Sequence, residues 1–394
     1  MGDFFLPLIL LLIILAIVTQ DGFTITLIYL FAGVYAIGSW WSRTALEAVT
    51  FTREYNNRVF PGEDVPVRLK FTNSGWLPVV WMQISEGIQV ELAQGNVFRQ
   101  VAHIAPRGSA IFEYMLYARK RGYYRVGPLN IQSGDVLGLI DDLTREGAGG
   151  DLIVYPRVVP LTNIRLPSRS PLGTLRHTLP IFEDPTRVIG KRDYIAGDSL
   201  RRVDWKATAT TRRLQVKLFE PSIALETAIF LNLNREEYLL RYQYEATELG
   251  IVVAASLANW LARKKQSVGL LTNGLDPLSG GAAAKPISPR TGRGQITRIL
   301  ETLARVKAGD GLAFVDLIQQ ERVHLPWGTT LVFITATADE TFFDEVFRAS
   351  RAGLSAVLIL CGPVARLQET RARAEYFGIP LVHFRSEQDL DIWR

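Results

Sequence analysis

Four carboxylates, Glu183, Asp184, Asp198 and Asp204, fall in one polar stretch of this chain. Two carboxyl groups in unlike surroundings can divide general-acid and general-base roles, so a carboxylate-dependent hydrolase using the Glu183–Asp204 region is one reading. The same stretch holds Arg187, Lys191, Arg192, Arg201, Arg202 and Lys206. Neighbouring cations keep a carboxylate ionised, which opposes acid chemistry. Asp198, Arg201, Asp204 and Lys206 stand three, three and two residues apart, so several can share one face of a turn or short helix. That spacing predicts internal ion pairs with Trp205 packed beneath them. On this reading the segment is first a latch between neighbouring domains, second a docking surface for a partner, and only last a catalytic site.

Other chemistry-bearing residues are dispersed. His103, His177, His324 and His383 give no ligand pair at metal-binding spacing. The single cysteine, Cys361, sits in the apolar run Ser355–Cys361 and reads as a small buried hydrophobe. One cysteine excludes a disulfide framework within the chain, in keeping with a reducing compartment. Gly274–Gly294 contains Gly-Arg-Gly but lacks the Lys-Ser/Thr ending of a phosphate loop, and reads as a flexible loop. No nucleophile-elbow motif marks a catalytic serine.

The elements that must position these residues begin with two apolar runs. Phe4–Val18 and Phe23–Trp41 flank the polar Thr19–Gln20–Asp21–Gly22. Each is slightly shorter than the roughly 20 residues that span a bilayer. Together they predict a transmembrane helical hairpin within residues 1–45, meeting the membrane through residues 4–41. A secretory signal would need a positive start, which Met1–Gly2–Asp3 does not supply. The turn carries no Lys or Arg, whereas Arg43, Arg53 and Arg58 follow the interfacial pair Trp40–Trp41. The bias places the turn outside and the body in the cytoplasm, a two-pass protein of the inner membrane.

Residues 50–155 read as a β-sandwich-like domain: Val65–Phe71 alternates as a half-buried strand should, and turn residues recur every ten or so positions. Residues 156–222 form a proline-rich connector. Residues 151–220 hold thirteen Lys/Arg against seven Asp/Glu, a net +6 that exceeds the +5 of the whole chain. Acids interleave with the bases and the membrane is near, so contact with inner-leaflet lipid is favoured over nucleic acid. Residues 223–394 alternate short apolar runs with helical stretches, among them Glu236–Lys264, and predict an α/β domain with a parallel sheet covered on both faces. The fold class is therefore α+β and multidomain.

The string from Arg192 to Ala209 closely resembles the signature of the bacterial family filed as domain of unknown function 58. Its core reads roughly Tyr-x-x-Gly-Asp-x-x-Arg-x-Ile-Asp-Trp-Lys-x-Ser-Ala. Tyr194, Gly197, Asp198, Arg201, Asp204, Trp205, Lys206 and Ala209 occupy those positions, with Val203 for Ile and Thr208 for Ser. Arg121-Gly-Tyr-Tyr-Arg-Val-Gly-Pro-Leu, Asp135-Val-Leu-Gly-Leu and Val154-Tyr-Pro-Arg-Val-Val resemble other segments of that family. The resemblance implies a membrane hairpin, a β-rich domain, the signature, then a von Willebrand factor A-like domain, and association with MoxR-type AAA+ ATPases. It implies no established reaction.

A von Willebrand A domain holds a divalent cation such as Mg²⁺ through Asp-x-Ser-x-Ser after its first strand, with a Thr and a later Asp on other loops. Here Asn232, Asn234 and Glu236 stand at the first three positions, and Ala336 falls where the later Asp would be. The adhesion site is degenerate, and no metal or other cofactor is expected. These features together predict a membrane-anchored, non-enzymatic scaffold or adaptor. Its protein partner would be a MoxR-type AAA+ ATPase or that enzyme's client, met through the signature and the α/β domain.

Overall fold

A computed structural model of the chain describes residues 5–92, 97–135, 143–162, 183–195, 198–221 and 226–393. Two compact units emerge: Met1–Arg157 with Leu303–Arg305, and Val158–Thr302 with Val306–Arg394. The architecture is mixed α+β.

The first unit opens with helices α1 (Phe5–Thr19) and α2 (Gly22–Glu47). Asp21 caps α2, its carboxylate accepting from Phe23 N at 3.3 Å. Among the described residues, α2 is the helix long and apolar enough to cross a membrane, while Pro7–Val18 is a shorter apolar helix. The last turn of α2 has another environment. Ser42, Ala45 and Leu46 are buried there, and Ala45 and Leu46 belong to the core of the β-rich domain that follows.

Ten strands build that domain among the described residues: β1 (Val49–Glu54), β2 (Arg58–Val59), β3 (Asp64–Asn73), β4 (Val79–Gly87), β5 (Val97–Ile104), β6 (Ser109–Tyr117), β7 (Gly122–Val126), β8 (Leu129–Ser133), β9 (Leu143–Gly147) and β10 (Gly150–Val154). They pair as β1-β3-β6, β5-β4-β8-β9 and β2-β10-β7. Val65, Val67, Leu69 and Phe71 of β3 alternate inward. Met82 and Ile84 of β4 and Leu129 and Ile131 of β8 share the same core.

An ion pair crosses this core. Arg53 of β1 meets Glu86 of β4, and the Glu86 side chain is wholly buried. Tyr114 of β6 donates its hydroxyl to Glu86 Oε2 at 2.6 Å, and Arg53 Nη1 donates to Ala148 O at 2.9 Å. Burial and the Glu86 charge push the Tyr114 phenol well up. Arg53 was counted above among the arginines that orient the membrane segment; the structure places it inside the domain instead. Gly127, at φ +96°, lies over the pair, where a Cβ would come within 3.1 Å of Arg53 Nη2. Gly127, the second of two glycines in the Arg121–Leu129 string, therefore has a packing role.

The second unit contains β11 (Glu183–Asp193), α3 (Trp205–Thr211) and β12 (Gln215–Pro221), then β13 (Glu226–Leu231), α4 (Gln243–Arg263), β14 (Ser267–Thr272), β15 (Ile287–Arg290), all but the last three residues of α5 (Arg293–Arg305), α6 (Phe314–Arg322), β16 (Thr330–Thr335), α7 (Glu340–Arg351), β17 (Ser355–Cys361), α8 (Leu367–Tyr376) and β18 (Leu381–Phe384). β11 and β12 form an antiparallel ribbon within the stretch read as a proline-rich connector. The larger sheet runs β15-β14-β13-β16-β17-β18, parallel throughout except at its edge strand β15. Phe230, Phe333, Phe314 and Phe342 are fully buried between sheet and helices. Each such side chain contributes about 1.5–3 kcal/mol.

Two expectations need correction here. The helix read over Glu236–Lys264 starts only at Gln243, because Arg235–Glu237 and Leu240–Tyr242 form 3-10 turns that bury Tyr238. The loop Gly274–Gly294 also contains part of the sheet, edge strand β15.

Removing one partner of a buried ion pair leaves an uncompensated charge, at a cost of about 3–5 kcal/mol. Glu86→Ala is expected to accelerate amide exchange throughout β1 and β4 of the detergent-solubilised chain. Tyr114→Phe removes one hydrogen bond to a charged acceptor, about 1.5–3 kcal/mol, and should have the smaller effect.

Candidate functional site

The signature segment occupies the excursion between β11 and β12. Its backbone is tied at both ends: Tyr194 N donates to Leu214 O at 2.8 Å and Asp204 N to Gln215 O at 2.8 Å. Asp204 then caps α3, accepting from Ala207 N at 3.1 Å, while its other oxygen meets Lys191 Nζ of β11 at 2.9 Å. Asp198 accepts two hydrogen bonds from the Arg192 guanidinium, at 2.6 and 2.7 Å, and one from Ile195 N at 3.0 Å.

Charge pairing is therefore real, but the partners differ from those the spacing suggested. Both carboxylates turn to β11 rather than to cations on their own turn. Lys191 and Arg192 are successive strand residues, whose side chains leave opposite faces. Asp198 and Asp204 thus do not form a catalytic pair. The Arg192 guanidinium, aided by Ile195 N, holds the Asp198 carboxyl below its ordinary range. Lys191, aided by Ala207 N, does the same for Asp204. Neither is a proton reservoir near neutral pH.

Trp205 is not packed beneath these charges. It is 67% exposed, and Ile195 and Leu200 of the same segment are also exposed. The reason is local: α3 is seven residues long, has no buried residue, and begins with Trp205 directly after its cap. Lys206 is likewise exposed. Gly197 and the side chains of Glu183, Asp184 and Arg201 lie outside the described residues, as does His177.

The residues set against a metal-adhesion motif above, Asn232, Asn234, Glu236 and Ala336, gather at the carboxyl ends of β13 and β16. Chain connections diverge there, to β14 on one side and β17 on the other, where open α/β sheets form their crevice. Asn232 is fully buried. Its Oδ1 accepts from Asn234 N and Asn273 Nδ2, both at 3.0 Å, and its Nδ2 donates to Thr335 Oγ1 at 3.0 Å. The residue missed in the sequence is Glu237. Its Oε2 accepts from Asn232 Nδ2 at 2.8 Å, and its Oε1 accepts from Phe314 N at 2.8 Å and Asn234 Nδ2 at 3.3 Å. Glu236, the expected position, points out to solvent. Ala336 is buried against Tyr238 and Ala246. Glu237 sits one place beyond the position that an adhesion-motif spacing would pick out, so that spacing does not reveal it.

A divalent cation needs several free oxygens converging on one point. Here the amides face one another and both Glu237 oxygens already accept hydrogen bonds, so this donor set does not fit Mg²⁺. Among the described residues no group of three His, Cys, Asp or Glu could hold a metal. Cys361 is fully buried, and burial pushes its thiol up, away from thiolate chemistry. His383 Nε2 is 2.8 Å from Gly362 O.

Comparison with known proteins gives a partial placement. Residues 190–321 match the family described as "Protein of unknown function DUF58", an interval from the end of β11 through the signature to α6. The uncharacterized protein YeaD of Bacillus subtilis (strain 168) is 25% identical over 202 residues, 50% of this chain and 48% of that protein. The chain thus spans about half the length of this curated relative. Two solved structures are similar at low TM-score. The CARDB domain of a Pyrococcus furiosus protein, in complex with di-metal ions, gives 0.21 at 16% identity, covering 27% of this chain and 91% of that one. The Pseudomonas fluorescens alkylpurine DNA glycosylase AlkC, bound to DNA containing an abasic site analog, gives 0.20 at 7% identity, covering 27% and 30%.

Two outcomes follow from the geometry. A carboxylate with a lowered pKa contributes stability above its ordinary value and loses that contribution only as pH falls through the lowered one. Exchange protection of α3, corrected for intrinsic rates, should be flat from about pH 8 to 5 and decline only below 3.8, the ordinary aspartate value. Millimolar Mg²⁺ should leave exchange at Leu231–Tyr238 unchanged, and a Mg²⁺-dependent slowing there would contradict the filled crevice.

Proposed function

We propose that this chain is a membrane-anchored, non-enzymatic adaptor that docks a protein partner through its signature segment and its α/β unit. The observation that carries the reading is the state of the signature. Its described carboxylates are consumed in ion pairs on opposite faces of a ribbon, while Ile195, Leu200 and Trp205 are left exposed. Exposed apolar side chains that their own fold does not need favour recognition over catalysis. Arg202, Lys206, Arg212 and Arg213 in the same segment are exposed as well, so the complementary partner surface is acidic with an apolar centre. The partner class implied by the family resemblance is a MoxR-type AAA+ ATPase or its client.

The anchor in this reading is the pair α1–α2, crossing twice with the Gln20–Asp21 turn outside and the body in the cytoplasm. Retention of α2 rather than its removal as a leader is favoured by Ala45 and Leu46, which complete the core of the β-rich domain. A cleavable segment would not be built into a core. The strand order and the single antiparallel edge are in keeping with a von Willebrand A-like unit, one whose adhesion crevice is filled by Asn232, Asn273 and Glu237 and which works without metal.

Central aromatic residues of interfaces commonly contribute 2 kcal/mol or more, so Trp205→Ala should lower recovery of the partner from gently solubilised membranes by about tenfold or more. Protection of β11 and β12 should be unchanged, because Trp205 is exposed and α3 buries none of its residues. Undiminished recovery of an AAA+ ATPase by the variant would remove the signature from the interface.

A further inference from the structure

The junction between α2 and the β-rich domain leaves little freedom. Helix and strand are joined through Ala48 alone, since α2 ends at Glu47 and β1 starts at Val49. The loop between β3 and β4 is fastened to the same turn. Ser74 donates to Ala48 O through its N at 3.0 Å and through its hydroxyl at 2.9 Å. Trp41 Nε1 donates to Pro78 O at 3.1 Å. Gly75 lies so close that a Cβ would come within 2.8 Å of the Ala48 Cβ. The loop Ser74–Pro78 is thereby held at a fixed height along α2.

From this pinned loop Trp76 projects, 66% exposed, with its ring centroid 6.1 Å from that of Trp40, itself 52% exposed. Phe23 to Trp40 rises about 26 Å at 1.5 Å per residue, close to the roughly 30 Å of a bilayer's hydrocarbon core. A helix that crosses the membrane from Phe23 therefore brings Trp40 to the headgroup level, where tryptophan is favoured. Trp76 must arrive at the same level. Arg43 on α2 and Arg107 are both exposed, and Arg107 N donates to Gly75 O at 3.1 Å. Cations therefore flank the pair where lipid phosphates would lie.

We infer that the β3–β4 loop is a second membrane contact, with Trp76 seated beside Trp40 in the headgroup region and holding the β-rich domain against the bilayer. The inference rests on α2 being a membrane anchor, and the test separates the two. Spin labels would be placed singly at Trp76→Cys, at Ile37→Cys on α2 and at Asp64→Cys in the full chain reconstituted into phosphatidylcholine–phosphatidylglycerol vesicles, with the fully buried Cys361 left in place. Asp64 begins β3, about 30 Å from the pinned loop at roughly 3.3 Å per residue. The expected result is oxygen-rich accessibility at 37, nickel-chelate-rich accessibility at 64 and an intermediate value at 76. A label at 76 as aqueous as that at 64, with 37 still in lipid, would overturn the loop contact and leave the anchor standing. An aqueous label at 37 would overturn both.

Discussion

Asp204 fastens three elements at once. One oxygen caps α3 through Ala207 N, the other meets Lys191 on β11, and the backbone N–H of the same residue reaches Gln215 of β12. A seven-residue helix is far below the length at which helices persist alone in water. Without this cap and clamp, α3 and the excursion it closes would have little to define them. The same contacts hold this carboxylate ionised: cap and counter-ion together lower its pKa, which opposes use of Asp204 as an acid. On the adaptor reading, the features available for recognition are what the clamp leaves outside, Trp205 above all.

Much of the framework was readable because burial imposes periods. Val65–Phe71 alternates because β3 has one face in the core and one in solvent. The apolar runs that became β13, β14 and β16 are continuous because those strands are covered on both sides, every residue from Thr227 to Leu231 being buried. The β11–β12 ribbon escaped notice for the complementary reason. It is two-stranded, has register shifts near Val188, and offers little apolar face to write a period. Edge strand β15 was hidden by Pro289, which an edge tolerates. One available signal was Gly269: its strand has no room for a side chain, because a Cβ there would come within 2.6 Å of Ile287 O.

The candidate site was legible in its parts and not in its pairings. Spacing gathered Asp198, Asp204 and Lys206 into one segment, but not the reach of Lys191 and Arg192 from the preceding strand. At the crevice, Asn232 and Asn234 were placed by analogy to an adhesion motif, whereas the closing carboxylate came from Glu237. A 3-10 turn rotates that residue inward and leaves Glu236 outside, and no spacing rule written for helices or strands captures such a turn. Amide-to-amide hydrogen bonds then take up the donors and acceptors that a cation would have required.

On the anchored reading, the linker-free passage from α2 into β1 makes the helix a lever as well as a tether. Transmembrane helices adjust to bilayer thickness by tilting. With Ala45 and Leu46 set in the core and Ser74 clamped to Ala48, no hinge absorbs that motion before it reaches the β-rich domain. A tilt of about 10° would swing the far end of β3, about 30 Å away, through roughly 5 Å. Bilayer thickness thereby becomes a mechanical input to the β-rich domain, transmitted by one short turn of helix and requiring no ligand.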